Sequence, residues 1–455
     1  MQKDIAPVAP ILEWTEFIAA HPDVTALDAF IIDVNGNALG KRVQVEDAMG
    51  VFADGVQFSA CALIADSRGL GHNVQGMGAS DGDPDGVALP IQGTLCMAPW
   101  TKSPVAQVMC HMRDVRLRRS FWFDPRVILD EVVRRCRGAA IHPVIACELE
   151  FYLIDPRRLP DGGITLAASS PNCGPPRRAA NLSMDAVESN AAFLDKINAA
   201  AEAQGVPVCG AVAEYGIGQF EVNLRHVSEP VQAADHAVLL RRIVQGVARS
   251  MGMQATFMAK PFAHQPGSGL HVHMSLVDES GSNRFGGEDG DELLQQAIAG
   301  MQAFMYDSIG LYAPNLNSHR RYLGQFVPTT RDWGYDNRSV AFRVPASGPG
   351  ARRVEHRVAG ADASPHLVLA ALLASVLHGI THHLEATEPV EGRVKNGRGA
   401  EFPSGLLAAL ERTEKSGLLA QYLPERYLRL YSELKQKECA ALMGEVFPVE
   451  YDFYL

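Results

Sequence analysis

The sequence predicts an α+β fold with two domains, and three observations predict it. Strand-like and helix-like segments alternate along the chain without the regular strand–helix repeat of a doubly wound parallel sheet. Several strand-like segments alternate apolar and polar residues, the pattern of a sheet with one buried face. At 455 residues the chain is too long for one small core. Composition bounds the function. Hydrophobic residues make up 47% and charged residues 20%, an ordinary balance for a globular enzyme. The formal net charge of −11 argues against nucleic acid or an anionic membrane as the main partner. It suits metal ions or cationic substrates.

A short helix is expected over 11–20. AFIIDVNGNALGKRVQV (29–45) reads as strand, Asn-Gly turn, strand. A Gly- and Asp-rich loop follows at 76–86, then a strand over 106–113. The domain boundary is set between 118 and 119, giving domains 1–118 and 119–455. In FDPRVILDEVVRRCRGA (123–139) apolar residues recur at helical spacing, and Pro125 stands early, where a helix tolerates it. Further strands are expected over 142–155, 220–224, 270–277 and 352–360, and helices over 189–205, 233–252 and 292–312. The remainder reads as mainly helical. LVLAALLASVLHGI (367–380) is shorter than the roughly 20 residues that span a bilayer, so it reads as a buried helix. His382 and His383 follow it and read as a helix end beside the dipole.

The eight cysteines are scattered and form no CxxC, which excludes a zinc ribbon or a thioredoxin-type site. With no apolar signal-peptide core in MQKDIAPVAPILEW, the expectation is a cytoplasmic protein with reduced thiols.

Four segments carry candidate chemistry. In CELEF (147–151), strand alternation puts Glu148 and Glu150 on one face and Cys147, Leu149 and Phe151 on the other. Two carboxylates about 7 Å apart repel unless a cation lies between them. In AEYGIGQFEVNL (213–224), Glu214 and Glu221 flank a Gly-Ile-Gly turn, and Glu221 shares the polar face with Gln219 and Asn223. In GSGLHVHMSL (267–276), His271, His273 and Ser275 share a face, as metal ligands or as ordinary strand residues. In RVEHR (353–357), Arg353, Glu355 and Arg357 share a face, and 317–345 adds Arg320, Arg321, Arg331, Arg338 and Arg343. Arginines beside carboxylates and a metal fit phosphoryl transfer, in which cations offset developing charge. An oxygen-rich site with one imidazole suits Mg²⁺ or Mn²⁺ better than zinc. DGDPDG (81–86) opens like a calcium loop, but Pro84 lies inside it and Gln92 stands at its twelfth position. The chain holds neither a GxxxxGK[ST] loop nor HExxH.

Taken together and in order, these motifs resemble the glutamine synthetase family. The likeness covers most of the chain: the D-x-N-G hairpin near 33–41, ELEF, E…GQFE, KPF…GSGLHVHMSL, NSHRR, NRSVAFRVP and RRVEHRVAGADASPHL. It implies a small N-terminal β-grasp-like domain and a large catalytic domain with an antiparallel sheet flanked by helices. It implies active sites between subunits of a ring, and a dodecamer of two stacked hexamers. Glu150, Glu214 and Glu221 match the ligands of one metal, and Glu148, His271 and Glu355 those of the second. Arg338, Arg343 and Arg353, with His273 and Ser275, match the ATP-binding positions. Arg338 and Glu355 match residues serving the transfer itself. Arg321, Arg357 and the Gly267 carbonyl match the glutamate site.

The amine half departs from the family. Glutamine synthetases carry an ammonium-binding aspartate in an FDGSS-like loop; here FSACA (58–62) puts Ser59 near that place. They carry a glutamate in a PGYEAP-like flap; YLGQFVPTT (322–330) has no carboxylate. KNGRGAEFPSGL (395–406) lacks the tyrosine that is adenylylated in some members. These departures, and RDWGYDNR (331–338), resemble the γ-glutamyl-amine ligases. The resemblance implies a ligase using ATP, L-glutamate and a primary amine, with two or more Mg²⁺ or Mn²⁺ per site. A polyamine such as putrescine is favoured. A monoamine, ethanolamine or ammonia substrate, or a non-catalytic relative, are the alternatives. Asp81, Asp83, Asp85 and Asp332 are candidates to hold a distal ammonium.

Overall fold

A computed structural model describes residues 8–168, 174–178, 181–324, 326–394, 399 and 401–455. The fold is α+β, as the sequence predicts, and two sheets organise it. The first has the strand order Ala38–Gln44, Ala26–Ile32, Val105–Asp114, Asp85–Pro90, Val56–Ser59, with Cys96–Met97 and Arg119–Ser120 also pairing on Val105–Asp114. Ala26–Ile32 and Val105–Asp114 run parallel at its centre, and the helix Val45–Asp54 links the hairpin to the far edge. The hairpin forms where expected, but its connection is Asp33–Asn37 rather than a two-residue Asn-Gly turn. The Asp33 carboxylate accepts the N–H groups of Asn35 (2.9 Å) and Asn37 (2.7 Å), and Gly36 supplies the positive φ.

The second sheet runs Trp333–Tyr335, Phe342–Val344, Val354–His356, Leu270–Val277, His142–Ile154, Gln219–Leu224, Val208–Ala213, with Gln254–Thr256 on His142–Ile154. All its pairings are antiparallel except that of Trp333–Tyr335 with Phe342–Val344. One face packs on helices through Cys147, Leu149, Phe151, Val222, Val272 and Met274, all buried. The other face carries the carboxylates and histidines.

Behind the sheet lies the helix Pro365–Thr381, buried from Pro365 through Gly379 and packed against Gly290–Phe304 and Pro125–Gly138. It is the predicted buried helix, capped by His382. Gly300 and Gly379 let two of these helices touch backbone to backbone: a Cβ on Gly300 would collide with the Ser375 carbonyl. No helix among the described residues is long and apolar enough to cross a membrane.

Three elements differ from expectation. The 292–312 helix breaks into Gly290–Phe304 and Ile309–Tyr312. Thr413 Oγ1 donates to the Asp307 carbonyl (2.6 Å), while Arg412 and Ser416 bind its carboxylate, so the turn at 305–308 is held from outside the helix. The 189–205 helix forms as Ala191–Ala203, preceded by a separate short helix, Met184–Ser189, that was not expected. The 352–360 strand shrinks to Val354–His356, because the Val358 carbonyl accepts from Arg321 (2.7 Å) and Tyr322 (3.1 Å) instead of a neighbouring strand.

Candidate active site

Strand register builds the site. His142–Ile154 is central: Glu148 pairs with His271 on one side and Asn223 on the other, and Glu150 pairs with Glu221. On the next strand His273 pairs with Glu355, which pairs in turn with Arg343. Residues directly opposite on one face of a sheet lie within side-chain reach. The register therefore gathers onto one surface residues that are far apart in the chain. They line a cavity of about 690 Å³ that also takes in Gly267, Arg321, Arg338, Arg353 and Arg357.

His271 is the hub. Its Nδ1 lies 3.5 Å from Glu148, 3.8 Å from Glu221 and 3.9 Å from Glu355, and its Nε2 lies 3.9 Å from Glu150. Two groups able to hold a metal ion share it: Glu148, His271, Glu355, and Glu150, Glu221, His271. Within each group the ligand atoms lie within 4.8 Å of one another. Glu214 lines the same cavity but stands outside both groups, its carboxylate accepting the Tyr215 N–H (3.3 Å). His273 Nε2 lies 2.8 Å from Glu148, and its Nδ1 accepts from Arg353 Nε (3.1 Å). Glu355 bridges Arg343 (2.8 Å) and Arg357.

The electrostatics fit a divalent cation held by oxygen. Burial pushes the Glu221 carboxyl up to about 9, helped by Glu148, Glu150 and Glu214. Burial and the neighbouring Glu150 raise Glu214 to about 7. Burial would raise Glu148 too, but His271 and His273 hold it well below the usual carboxylate range. Glu355, also pushed up by burial, is brought to about 2 by Arg357 and then His271. Carboxylates crowded until they resist ionising are the environment a bound cation relieves. The donor set of four or five carboxylates and one imidazole suits Mg²⁺ or Mn²⁺.

The arginines fit anions. Arg321, Arg343 and Arg357 each keep a buried Nε–H without a hydrogen-bond acceptor. A buried unsatisfied donor costs about 1–3 kcal/mol, so an incoming carboxylate or phosphate finds donors already dehydrated. Gly267 and Gly269 bring the backbone against Arg321, where a Cβ would fall 2.7 Å from that side chain in either case. The Gly267 carbonyl accepts from Gln219 Nε2 (3.1 Å), and Gly269 N–H donates to Glu150 (2.7 Å).

Of the sequence-selected residues, Ser275 shares the face of His271 and His273 but does not line the cavity. Ser59 and the acids 81, 83, 85 and 332 also lie outside this chain's cavity lining. Ser59 donates to Asp83 (2.5 Å), and Asp332 accepts from Thr330 (2.6 Å). Gln325 of the flap, and 395–398 and 400 of the 395–406 stretch, lie outside the described residues. Sequence reasoning missed Asp336, which binds Arg343 (2.7 Å), and the aromatic pair Tyr215 and Phe326. Asp336 stands beside a short parallel pairing with no periodic signal. Phe326 is brought to Tyr215 by a loop, which periodicity cannot read.

Comparison with known proteins agrees with this geometry. Residues 123–454 match the family pattern of the glutamine synthetase catalytic domain. The chain is 36% identical over 434 residues to gamma-glutamylputrescine synthetase PuuA of Escherichia coli (strain K12), covering 94% of this chain and 90% of that protein. It is 30% identical over 446 residues to a glutamate–isopropylamine ligase of a Pseudomonas species, covering 93% of each. The solved structure of ligand-free GmaS superposes with a TM-score of 0.81 at 26% identity, over 96% of this chain and 98% of that one. The chain belongs to the glutamine synthetase family.

Proposed function

We propose that the protein is an ATP-dependent ligase that joins the γ-carboxylate of L-glutamate to a primary amine, with a polyamine such as putrescine preferred. One observation carries the reading: two carboxylate groups share His271 beside Arg343, Arg353 and Arg357 in one cavity. The likeness to a gamma-glutamylputrescine synthetase, at 36% identity, supports the choice of amine.

On this reading Glu150, Glu214 and Glu221 hold one divalent cation, and Glu148, His271 and Glu355 a second. Bound Mg²⁺ or Mn²⁺ supplies positive charge that offsets the phosphate charge during transfer. Arg338, Arg343 and Arg353, with His273, hold the phosphates of ATP. Arg321 and Arg357 hold the glutamate carboxylate, and the Gly267 carbonyl accepts from its amino group. A γ-carboxylate oxygen attacks the γ-phosphorus, and the bond to ADP breaks. Arg338 stabilises the phosphoryl group in flight. The amine nitrogen then attacks the acyl carbon of γ-glutamyl phosphate. The carbon–oxygen bond to phosphate breaks, and a proton leaves the nitrogen.

The amine end draws on the first sheet, as in a ring whose sites form between subunits. Ser59 stands near the place of the family's ammonium-binding aspartate, and Asp83, bonded to Ser59, brings a carboxylate beside it. A dodecamer of two stacked hexamers and a cytoplasmic location belong to this reading. So does the division into 1–118 and 119–455; the first sheet runs two residues past that boundary, to Ser120, and the second opens at His142.

The test is phosphate release with ATP, Mg²⁺ and glutamate against ammonium, methylamine, ethanolamine, putrescine, cadaverine and spermidine, with the adduct identified by mass spectrometry. Turnover with diamines and not with ammonium is expected. Turnover with ammonium alone would make the protein a divergent ammonia-using glutamine synthetase.

A further inference from the structure

The lip of the active-site cavity does not resemble its floor. Charged residues dominate the floor, whereas the lip presents Leu182, Tyr215, Phe326 and Val327. Tyr215 and Phe326 stack with ring centroids 5.2 Å apart and planes 21° from parallel. Both rings remain 50% exposed, and Leu182 is 71% exposed. Core packing therefore does not account for Leu182, Tyr215 or Phe326, while Val327 is partly buried against the core. Leu182 (φ 58) and Phe326 (φ 69) also hold left-handed backbone, which side chains with a Cβ rarely adopt. Arg393 lies 5.9 Å from the Phe326 centroid and adds a second contact to that ring.

The lip is joined directly to the reacting end of the site. Tyr215 follows Glu214, and its N–H donates to that carboxylate. Leu182 N–H donates to the Ala213 carbonyl (2.9 Å), which ties its loop to the same segment. A substrate seated over the carboxylates meets an apolar, aromatic surface as it extends outward. A small hydrated cation covers little of such a surface and so buries little apolar area there. A carbon chain loses its water-exposed area there.

We propose that Leu182, Tyr215, Phe326 and Val327 form an apolar subsite for the carbon chain of the amine. The substrate class it selects is primary amines with several methylenes next to the reacting nitrogen, over ammonium and methylamine. This rests on the ligase reading above and names the part of the site that sets its specificity.

The experiment measures kcat/KM for methylamine, ethylamine, butylamine and hexylamine, with putrescine and cadaverine as the diamine arm, at saturating ATP and glutamate. In the wild type kcat/KM should rise about fourfold per methylene until the lip is covered. Phe326→Ala and Tyr215→Ala should flatten that slope through KM for the longer amines, with KM for glutamate changing less than about twofold. Tyr215→Phe, which keeps the ring, should retain the slope. A flat wild-type series overturns the subsite without any variant having to fold. A slope that survives both truncations overturns it as well. If the wild type forms no amide with any amine, the ligase reading fails and the subsite falls with it.

Discussion

Glu148, Glu221, His271, Arg343 and Glu355 stand on strands whose registers fix their neighbours, whereas Leu182 and Phe326 stand on loops bent into left-handed backbone. The floor is preorganised by main-chain hydrogen bonds that do not depend on the side chains they display. The lip is held by fewer ties: the Leu182 N–H to the Ala213 carbonyl, the Tyr215 N–H to Glu214, and the Tyr215–Phe326 stack. The difference teaches where such a fold keeps its chemistry and where it varies its substrate: phosphoryl transfer needs fixed charges, and amine choice needs only a surface of suitable polarity.

The hardest test of the floor is Glu355→Gln. The change keeps the volume but removes the charge that Arg343 and Arg357 share. Turnover in the phosphate-release assay should fall by about a thousandfold. Activity within tenfold of wild type would break the claim that the register-built charges do the chemistry.

Cation removal comes next. Glu148, Glu150, Glu214 and Glu221 all line one cavity. Protein stripped with a chelator should unfold at a lower temperature than protein with Mg²⁺ or Mn²⁺. At a hundred times the dissociation constant the gain is about 2.7 kcal/mol. An unchanged midpoint by scanning fluorimetry with both ions would mean the carboxylates need no cation.

Gly300→Ala probes the support behind the floor, since its Cβ would press on the Ser375 carbonyl between two buried helices. Overpacking of this kind costs about 1–3 kcal/mol, readable by denaturant unfolding. Loss of stability with KM for glutamate retained would show that the sheet tolerates strain behind it. A neutral result would mean the helices separate easily.

The smallest effect is expected at Asp83→Asn. An exposed carboxylate contributes up to about 1 kcal/mol to a cation, so KM for a diamine should rise up to about fivefold while KM for glutamate holds. A rise for butylamine equal to that for putrescine would remove Asp83 from the recognition of a second ammonium.

Much of this was legible in the sequence because strands have period two. CELEF, GQFEVNL and LHVHMSL display their polar faces by alternation alone, and the structure puts Cys147, Leu149 and Val272 in the core as that alternation requires. What periodicity could not give was partnership between faces. That His271 meets both carboxylate groups depends on register between strands more than a hundred residues apart. The short run Val354–His356 was overread because its following carbonyl serves Arg321 and Tyr322 rather than a ladder. The lip was illegible for a plainer reason: Phe326 and Tyr215 meet through loops, where residue type carries little information about direction.

The shared imidazole has a consequence for occupancy. A neutral imidazole ring carries one lone pair at a time, on Nδ1 or on Nε2. His271 faces Glu148, Glu221 and Glu355 with Nδ1 and Glu150 with Nε2. Choosing a tautomer to serve one cation turns the other nitrogen into a hydrogen donor, so a second cation would be coordinated by oxygen alone. The two positions then differ in kind. A position that keeps the nitrogen would suit a softer ion such as Mn²⁺. An all-oxygen position would favour the harder Mg²⁺.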